Sequence, residues 1–199
     1  MIRKILNYPF FYTLYAVLIG RIAFTKRYAK EFINAKSGQK ILELGSGCGH
    51  IIPFLPEDTD YLGYDLSPVY VDYCQKKFPK RKFICQDVTE PINSEKTFDI
   101  VFSEALMAGL TDEQVLKMLE NIKNNTTEGS TIILSDMDYK KENSAITNFL
   151  LEHERNTNLR QKADYIKLIK EANLKIKQIV DIDNAYLIPY SKVLFICSK

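Results

Sequence analysis

Hydrophobic positions divide the chain near residue 37. Ahead of it, Ile5 to Phe24 is the most apolar stretch of the protein, and with Pro9 near its start the run from Phe10 to Ile33 reads as a helix with a break at Gly20. Its later turns carry Arg21, Lys26, Arg27 and Lys30. From Ser37-Gly38 onward, short apolar runs alternate with helical patterns, which argues for a parallel sheet covered by helices on both faces. The predicted order is strand 39–45, helix about 48–55, strand 60–65, helix 68–78, strand 82–86, strand 97–104, helix 111–124 and strand 130–136. A helical stretch from 142 to about 172 follows, interrupted near Asn156-Thr157-Asn158, and then strands at 175–183 and 191–198. Only Asn184 to Tyr190, with Pro189, joins the last two strands, too little for a crossover helix, so they are expected to pair antiparallel. The expected fold is α/β: a three-layer, seven-stranded, mostly parallel sheet with an antiparallel C-terminal strand. Residues 1–36 read as a helical cap or arm and 37–199 as the sheet domain.

Composition leaves that picture intact. A chain of 199 residues fits one domain, and 46% apolar with 26% charged residues indicates neither disorder nor a polytopic membrane protein. Cys48, Cys74, Cys85 and Cys197 are scattered, with no C-x-x-C pair and no zinc spacing, and read as reduced, cytoplasmic thiols. Charge adds an asymmetry: residues 1–40 hold eight basic side chains against one acid, Glu31, a balance of +7, whereas 41–199 hold 19 basic and 24 acidic groups, a balance of −5. The apolar run behind Arg3 and Lys4 is aromatic, contains Pro9 and lacks a small-x-small cleavage site, so it does not read as a signal peptide. From Pro9 to Gly20 it is also short of the ~20 residues a bilayer core requires. Two readings stay open, a helix packed on the sheet domain or an interfacial helix on anionic membrane.

Candidate chemistry centres on Ile41-Leu42-Glu43-Leu44-Gly45-Ser46-Gly47-Cys48-Gly49-His50, an apolar run, an acid and three alternate glycines. A buried strand breaking into a glycine-rich turn and then a helix brings backbone N–H groups close to a ligand. The dinucleotide fingerprint is G-x-G-x-x-G, and Gly49 falls one position early for it. The pattern resembles the first motif of the class I (Rossmann-like) S-adenosylmethionine-dependent methyltransferases. That resemblance covers 37–199 and implies S-adenosylmethionine as cofactor, with Glu43 under its methionine end and Gly45, Ser46, Gly47 and Gly49 forming the turn. It implies that Asp65, which ends Tyr61-Leu62-Gly63-Tyr64-Asp65, takes the ribose hydroxyls with Leu66 beside it; Asp65-Leu66-Ser67-Pro68 also reads as a helix cap. Asp87 and Val88, after Phe83-Ile84-Cys85-Gln86, are placed at the adenine, and Ser103, Glu104 and Ala105 beside the methyl group. N-terminal helices in this family often cover the cofactor site.

The acceptor is less well marked. No Asp/Asn/Ser-Pro-Pro-aromatic motif, Pro-Cys pair, two-glutamate loop or His pair follows the fourth strand; the loop reads Leu106-Met107-Ala108-Gly109-Leu110. Glu104 is the candidate base or substrate clamp, and it could equally fix a cofactor amine or cap a loop. Asp136 and Asp138, with Glu104, partly resemble the carboxylates of metal-dependent catechol-type enzymes, but the match is incomplete and no metal is expected. His50 is expected to pack at a helix start. His153-Glu154-Arg155-Asn156-Thr157-Asn158-Leu159-Arg160 resembles an Asp-Arg-Gly-Gln-Asn-Val-Arg segment of a group of uncharacterised bacterial class I methyltransferases; Arg155, Asn158 and Arg160 match, while Glu154 and Asn156 depart. Arg155 and Arg160 would clamp a carboxylate or phosphate on the substrate, or belong to a solvated helix break. The expectation is a cytoplasmic methyltransferase acting at oxygen or nitrogen of a small molecule, anionic or amphiphilic. The alternatives are a membrane-associated, lipid-directed enzyme making peripheral contact through the basic N-terminal helix, and a non-catalytic cofactor-binding regulator. No RNA module accompanies the basic arm.

Overall fold

The computed structural model describes residues 7–92, 94, 96–139, 147, 158–187 and 190–199. Helices α1 (Pro9–Leu18) and α2 (Arg21–Tyr28) precede a sheet built from β1 (Lys40–Leu44), β2 (Asp60–Asp65), β3 (Lys82–Cys85), β4 (Phe98–Glu104), β5 (Thr126–Met137), β6 (Lys175–Ile182) and β7 (Lys192–Ser198). Between strands run α3 (Pro68–Lys77), α4 (Asp112–Asn124) and α5 (Lys162–Glu171). Strand order is β3-β2-β1-β4-β5-β7-β6, with β7 antiparallel to both neighbours and the remaining pairs parallel. Central strands are covered on both faces, so they read as unbroken apolar runs: Ile41, Leu42 and Leu44 of β1 and Val101 and Phe102 of β4 are inaccessible.

Two cores flank the sheet. On one face Met118, Leu119 and Ile122 of α4 and Tyr165, Leu168 and Ile169 of α5 pack over Leu42, Val101, Ile132 and Phe195. On the other face Phe24, Tyr28, Ala29 and Ile33 pack with Val71 of α3 over Ile41, Phe102, Ile133 and Leu194. The N-terminal segment expected as an arm therefore supplies part of the second layer. Gly20, at φ +80°, ends α1 at the anticipated break, and α2 runs on into a π-helical turn at Ala29–Ile33. Local signals set the helix starts: Ser67 caps α3 with Pro68 in its first turn, and Thr111 and Gln114 form a capping box on α4.

One expected element is replaced. Residues 48–55 form a turn and a short 3-10 segment (Ile52–Phe54) instead of an α-helix. Pro53 lacks the N–H that a helix interior would need, and Gly49 sits at φ +65°. Most of the predicted helical stretch from 142 lies outside the described residues, and α5 accounts for its end. The chain runs from β1 through β2 to β3 in one direction and then returns to place β4 on the other side of β1, so the strand order reverses between β1 and β4. In such sheets the crevice beyond the carboxyl ends at that point is where ligands bind.

Gly49 joins the glycine turn to this frame. A Cβ there would lie 2.9 Å from the Phe78 ring and 3.3 Å from Cys74 Sγ, at a backbone angle that L-residues rarely adopt. Gly49→Ala is expected to cost ~2–4 kcal/mol, from left-handed strain plus overpacking, read as a lowered midpoint in denaturant unfolding.

Candidate active site

Beyond the ends of β1, β2 and β4 lies a cavity of about 560 Å³. Gly45, Gly47, Asp65, Leu66, Ser67 and Tyr70 form one side of its wall, Glu104, Ala105, Leu106, Gly109, Met137 and Tyr186 another. Asn7, Tyr12, Tyr15, Ile19 and Arg21 close it from the N-terminal segment, so α1 is its roof. The turn itself is tied down by its backbone: Gly45 and Ser46 N–H donate to the Tyr64 carbonyl at 2.8 and 2.9 Å. Asp65 receives Gly47 N–H at 2.7 Å on Oδ2 and Ser67 N–H at 2.9 Å on Oδ1. It thus stands on the cavity wall while it also tethers the start of α3. At Gly47, φ +52°, an added Cβ would meet only the Tyr12 ring, at an ordinary contact distance of 3.8 Å, so bare backbone faces the roof.

A separate recess of about 40 Å³ lies at the turn, lined by Glu43, Ser46, Thr25, Tyr28, Arg21 and Glu104 among others. Among the described residues, Ser46 Oγ and Tyr28 Oη are buried without a hydrogen-bond partner. Glu43 is buried and accepts from Tyr61 Oη. That contact depends on Gly63, where a Cβ would stand 2.8 Å from the same hydroxyl. Burial raises the Glu43 carboxyl to about 8, against the pull of the Tyr61 hydrogen bond.

Glu104 behaves in the opposite way. Burial would raise its carboxyl, but Arg21 on one oxygen and Lys192 on the other outweigh that and bring it down to about 2. Tyr186 Oη adds a third hydrogen bond at 3.1 Å and in turn accepts from Lys192 Nζ at 3.2 Å. Lys192 is fully buried, 4.9 Å from the centre of the Phe24 ring. Arg21 also donates to Tyr12 Oη, so the roof and the floor share one charge network. Ala105 follows at φ +56°, a left-handed conformation in a residue with a Cβ, where β4 turns into the cavity wall.

The remaining expected residues lie apart. Gly49 packs against α3, and Ser103 is inaccessible inside β4, its hydroxyl without a partner among the described residues. Asp87 Oδ1 accepts from Thr89 N–H and Oγ1, and Val88 is in the core; neither is on the cavity wall. Arg160 is buried, with its guanidinium committed to the Met107, Asn158 and Leu110 carbonyls and to Asp112. It fastens the loop after β4 and presents no donor to the cavity. Arg155 lies outside the described residues. His50, by contrast, is on the wall of the recess, where it stacks on Tyr12 and bonds Thr13 at 3.0 Å; burial, helped by Arg21, lowers it to about 4. Asp136 is inaccessible, raised to about 6 by burial, and accepts from Ala108 and Met137 N–H. No group of three or more His, Cys, Asp or Glu able to hold a metal occurs among the described residues.

Sequence reasoning missed Arg21, Lys192, Tyr186 and the roof tyrosines. Gly63, a glycine inside an apolar strand, was the available signal for the Tyr61–Glu43 pair. Replacing the Glu104 carboxylate should expose the cost of the cations around it. Glu104→Gln is expected to lose ~3–5 kcal/mol at neutral pH because it leaves a buried lysine uncompensated. A lowered carboxyl contributes stability above its ordinary value, about 4.5, and loses it as pH falls toward about 2. The gap between wild type and variant, followed by unfolding at each pH, should therefore narrow through that window.

Comparison with known proteins agrees with this geometry. Residues 41–129 match a family described as Methyltransferase domain. Phosphoethanolamine N-methyltransferase of Triticum aestivum is 30% identical over 94 residues, 43% of this chain and 18% of that protein. The chain spans about a fifth of the length of the curated relatives it matches. Among solved structures, a TehB-like SAM-dependent methyltransferase from Corynebacterium glutamicum superposes with a TM-score of 0.67 at 21% identity, covering 88% of this chain and 87% of that one. Geranyl diphosphate C-methyltransferase from Streptomyces coelicolor, solved with Mg2+, geranyl diphosphate and S-adenosyl-L-homocysteine, gives 0.70 at 10% identity, covering 86% and 78%. The match at residues 41–129 takes in the glycine turn at the switch point, and the seven-stranded fold with β7 reversed is similar to that of solved SAM-dependent methyltransferases.

Proposed function

We propose that the chain transfers a methyl group from S-adenosylmethionine to oxygen or nitrogen of a small, anionic or amphiphilic acceptor. The observation that carries this reading is a pair of adjacent spaces at the glycine turn. A polar recess with two unpartnered buried hydroxyls and a larger roofed cavity share Tyr12, Arg21, Gly45, Gly47 and Glu104 in their walls. The residues present fit the cofactor. Asp65 places a carboxylate, the group suited to a vicinal diol, on the cavity wall, and Glu43, Ser46 and Tyr28 offer partners for an amino-acid end. When bound, S-adenosylmethionine supplies a methyl group already activated by a sulfonium.

What the protein adds is position. Tyr12, Tyr15 and Ile19 exclude water from above, and the exit of β4 fixes the far wall. Glu104 is held ionised by two cations and serves as a positioning residue, since a carboxyl at about 2 is a weak proton acceptor at neutral pH. Arg21, on the wall of both spaces, is the cation placed to meet an acceptor's anionic group. A relative named for phosphoethanolamine, matched over 43% of this chain, supports an acceptor of that kind. The scattered thiols, with no disulfide among the described residues, support a cytoplasmic setting.

Calorimetry tests the cofactor assignment. Asp65→Ala is expected to weaken S-adenosylmethionine binding by tenfold or more, as removal of a charged hydrogen-bond acceptor does; no binding by wild type, or an unchanged affinity, would overturn it. Glu43 gives a second handle. Its raised carboxyl must ionise to pair with the cofactor's ammonium, so between pH 5.5 and 7.5 binding is expected to release a proton and to tighten as pH rises. Titrations in buffers of different ionisation enthalpy measure that release, and Glu43→Gln should abolish it.

A further inference from the structure

The roof helix has an inner and an outer face. Tyr12, Tyr15 and Ile19 point to the cavity, whereas Phe10, Leu14, Val17 and Leu18 are 71, 45, 55 and 67% exposed, with Tyr8 and Phe11 beside them. Their spacing is that of one helical stripe, and nothing among the described residues covers it. Soluble surfaces seldom leave so many large apolar side chains contiguous. The stripe also reaches the cavity mouth: Tyr12 of α1 packs on Tyr70 of α3, and Leu66 and Val69, ahead of and within the first turn of α3, are both exposed and part of the cavity wall.

We propose that the outer face of α1 docks on an anionic lipid bilayer, with the mouth of the cavity turned toward the lipid. Charge selects this occupant. No Asp, Glu, Lys or Arg occurs from Ile5 to Gly20, while Arg3 and Lys4 precede that run and the exposed Lys26, Arg27 and Lys30 follow it. Glu31, the one acid among the first 40 residues, is already paired with Arg27. An apolar, aromatic helix bracketed by cations matches the acyl boundary and the anionic headgroups of a membrane surface. A protein partner would need acidic groups set around its own apolar patch, and a second copy would bring +7 against +7. With ten residues, about 15 Å long, α1 lies in the interface and cannot span it. No helix among the described residues is long and apolar enough to cross a membrane.

Docking is independent of the methyl-transfer reading and is tested without turnover. The full chain is floated with vesicles of phosphatidylcholine alone or mixed with phosphatidylglycerol, beside the triple variant Phe10→Ser, Leu14→Ser, Leu18→Ser. Wild type should be retained by the mixed vesicles and released by salt, and the variant should bind about tenfold more weakly or worse. Cofactor titration and thermal unfolding of the variant, all of whose changes are on exposed side chains, should match wild type. Wild type ignoring mixed vesicles, a variant that binds them equally, or wild type dimerising through this face in sedimentation velocity while the variant stays monomeric, would each overturn the proposal.

Discussion

One carboxylate holds three distant parts of this protein together. Glu104 ends β4, Arg21 opens α2 and Lys192 opens β7; their side chains meet where the cavity floor, roof and C-terminal sheet edge converge. Burying a single carboxylate there would cost several kcal/mol, and burying Lys192 alone would cost as much, so each is tolerated only because the others are present. Such a cluster adds little net stability over an apolar replacement. Its effect is geometric, because it allows one arrangement of the roof helix over the glycine turn and penalises every other. Tyr12 and Tyr186 extend the constraint by hydrogen bonding to Arg21 and Glu104 respectively.

The sheet explains why the constraint falls where it does. Reversal of strand order between β1 and β4 opens a crevice at their carboxyl ends, and the glycine turn closes one side of it. Replacing the expected helix after the turn with a 3-10 segment removes a helix start there and leaves the N-terminus of α3, at Ser67, on the cavity wall. Ligand contacts at the turn must come from individual backbone N–H groups and from side chains below it. On the other side Ala105 holds a strained left-handed conformation, with its N–H bonded to the Ser135 carbonyl. Strain of this kind persists where neighbouring structure fixes it, here β5 and the Arg160-anchored loop.

The sheet, its antiparallel end and the break at Gly20 were readable because each follows from local signals: apolar runs of strand length, a connection too short for a crossover, and a glycine between two apolar helical patterns. The Gly45–Gly47 turn, Glu43, Asp65 and Leu66 fall at the cavity or its recess because each lies at or just past the end of the adjacent parallel strands β1 and β2, whose spacing the motif marks. Arg21 and Lys192 are separated by most of the chain, and their meeting at Glu104 depends on tertiary closure that no local window records. The same holds for Arg160. Its charge and its place in a polar segment suggested a ligand clamp, but only the fold shows that its donors turn inward to loop carbonyls and Asp112.

Two glutamates in one site are driven apart by their partners. Glu43, with a tyrosine hydroxyl as its contact, rises to about 8, and Glu104, between two cations, falls to about 2. At neutral pH the first is mostly neutral and the second fully charged. Asp136, at about 6 and within the field of Lys192, is also mostly ionised, so Arg21 and Lys192 are balanced by Glu104 and Asp136. Arg21 thus joins the basic first forty residues to this balanced network, and the position of the roof and the ionisation of the floor are set by the same contacts.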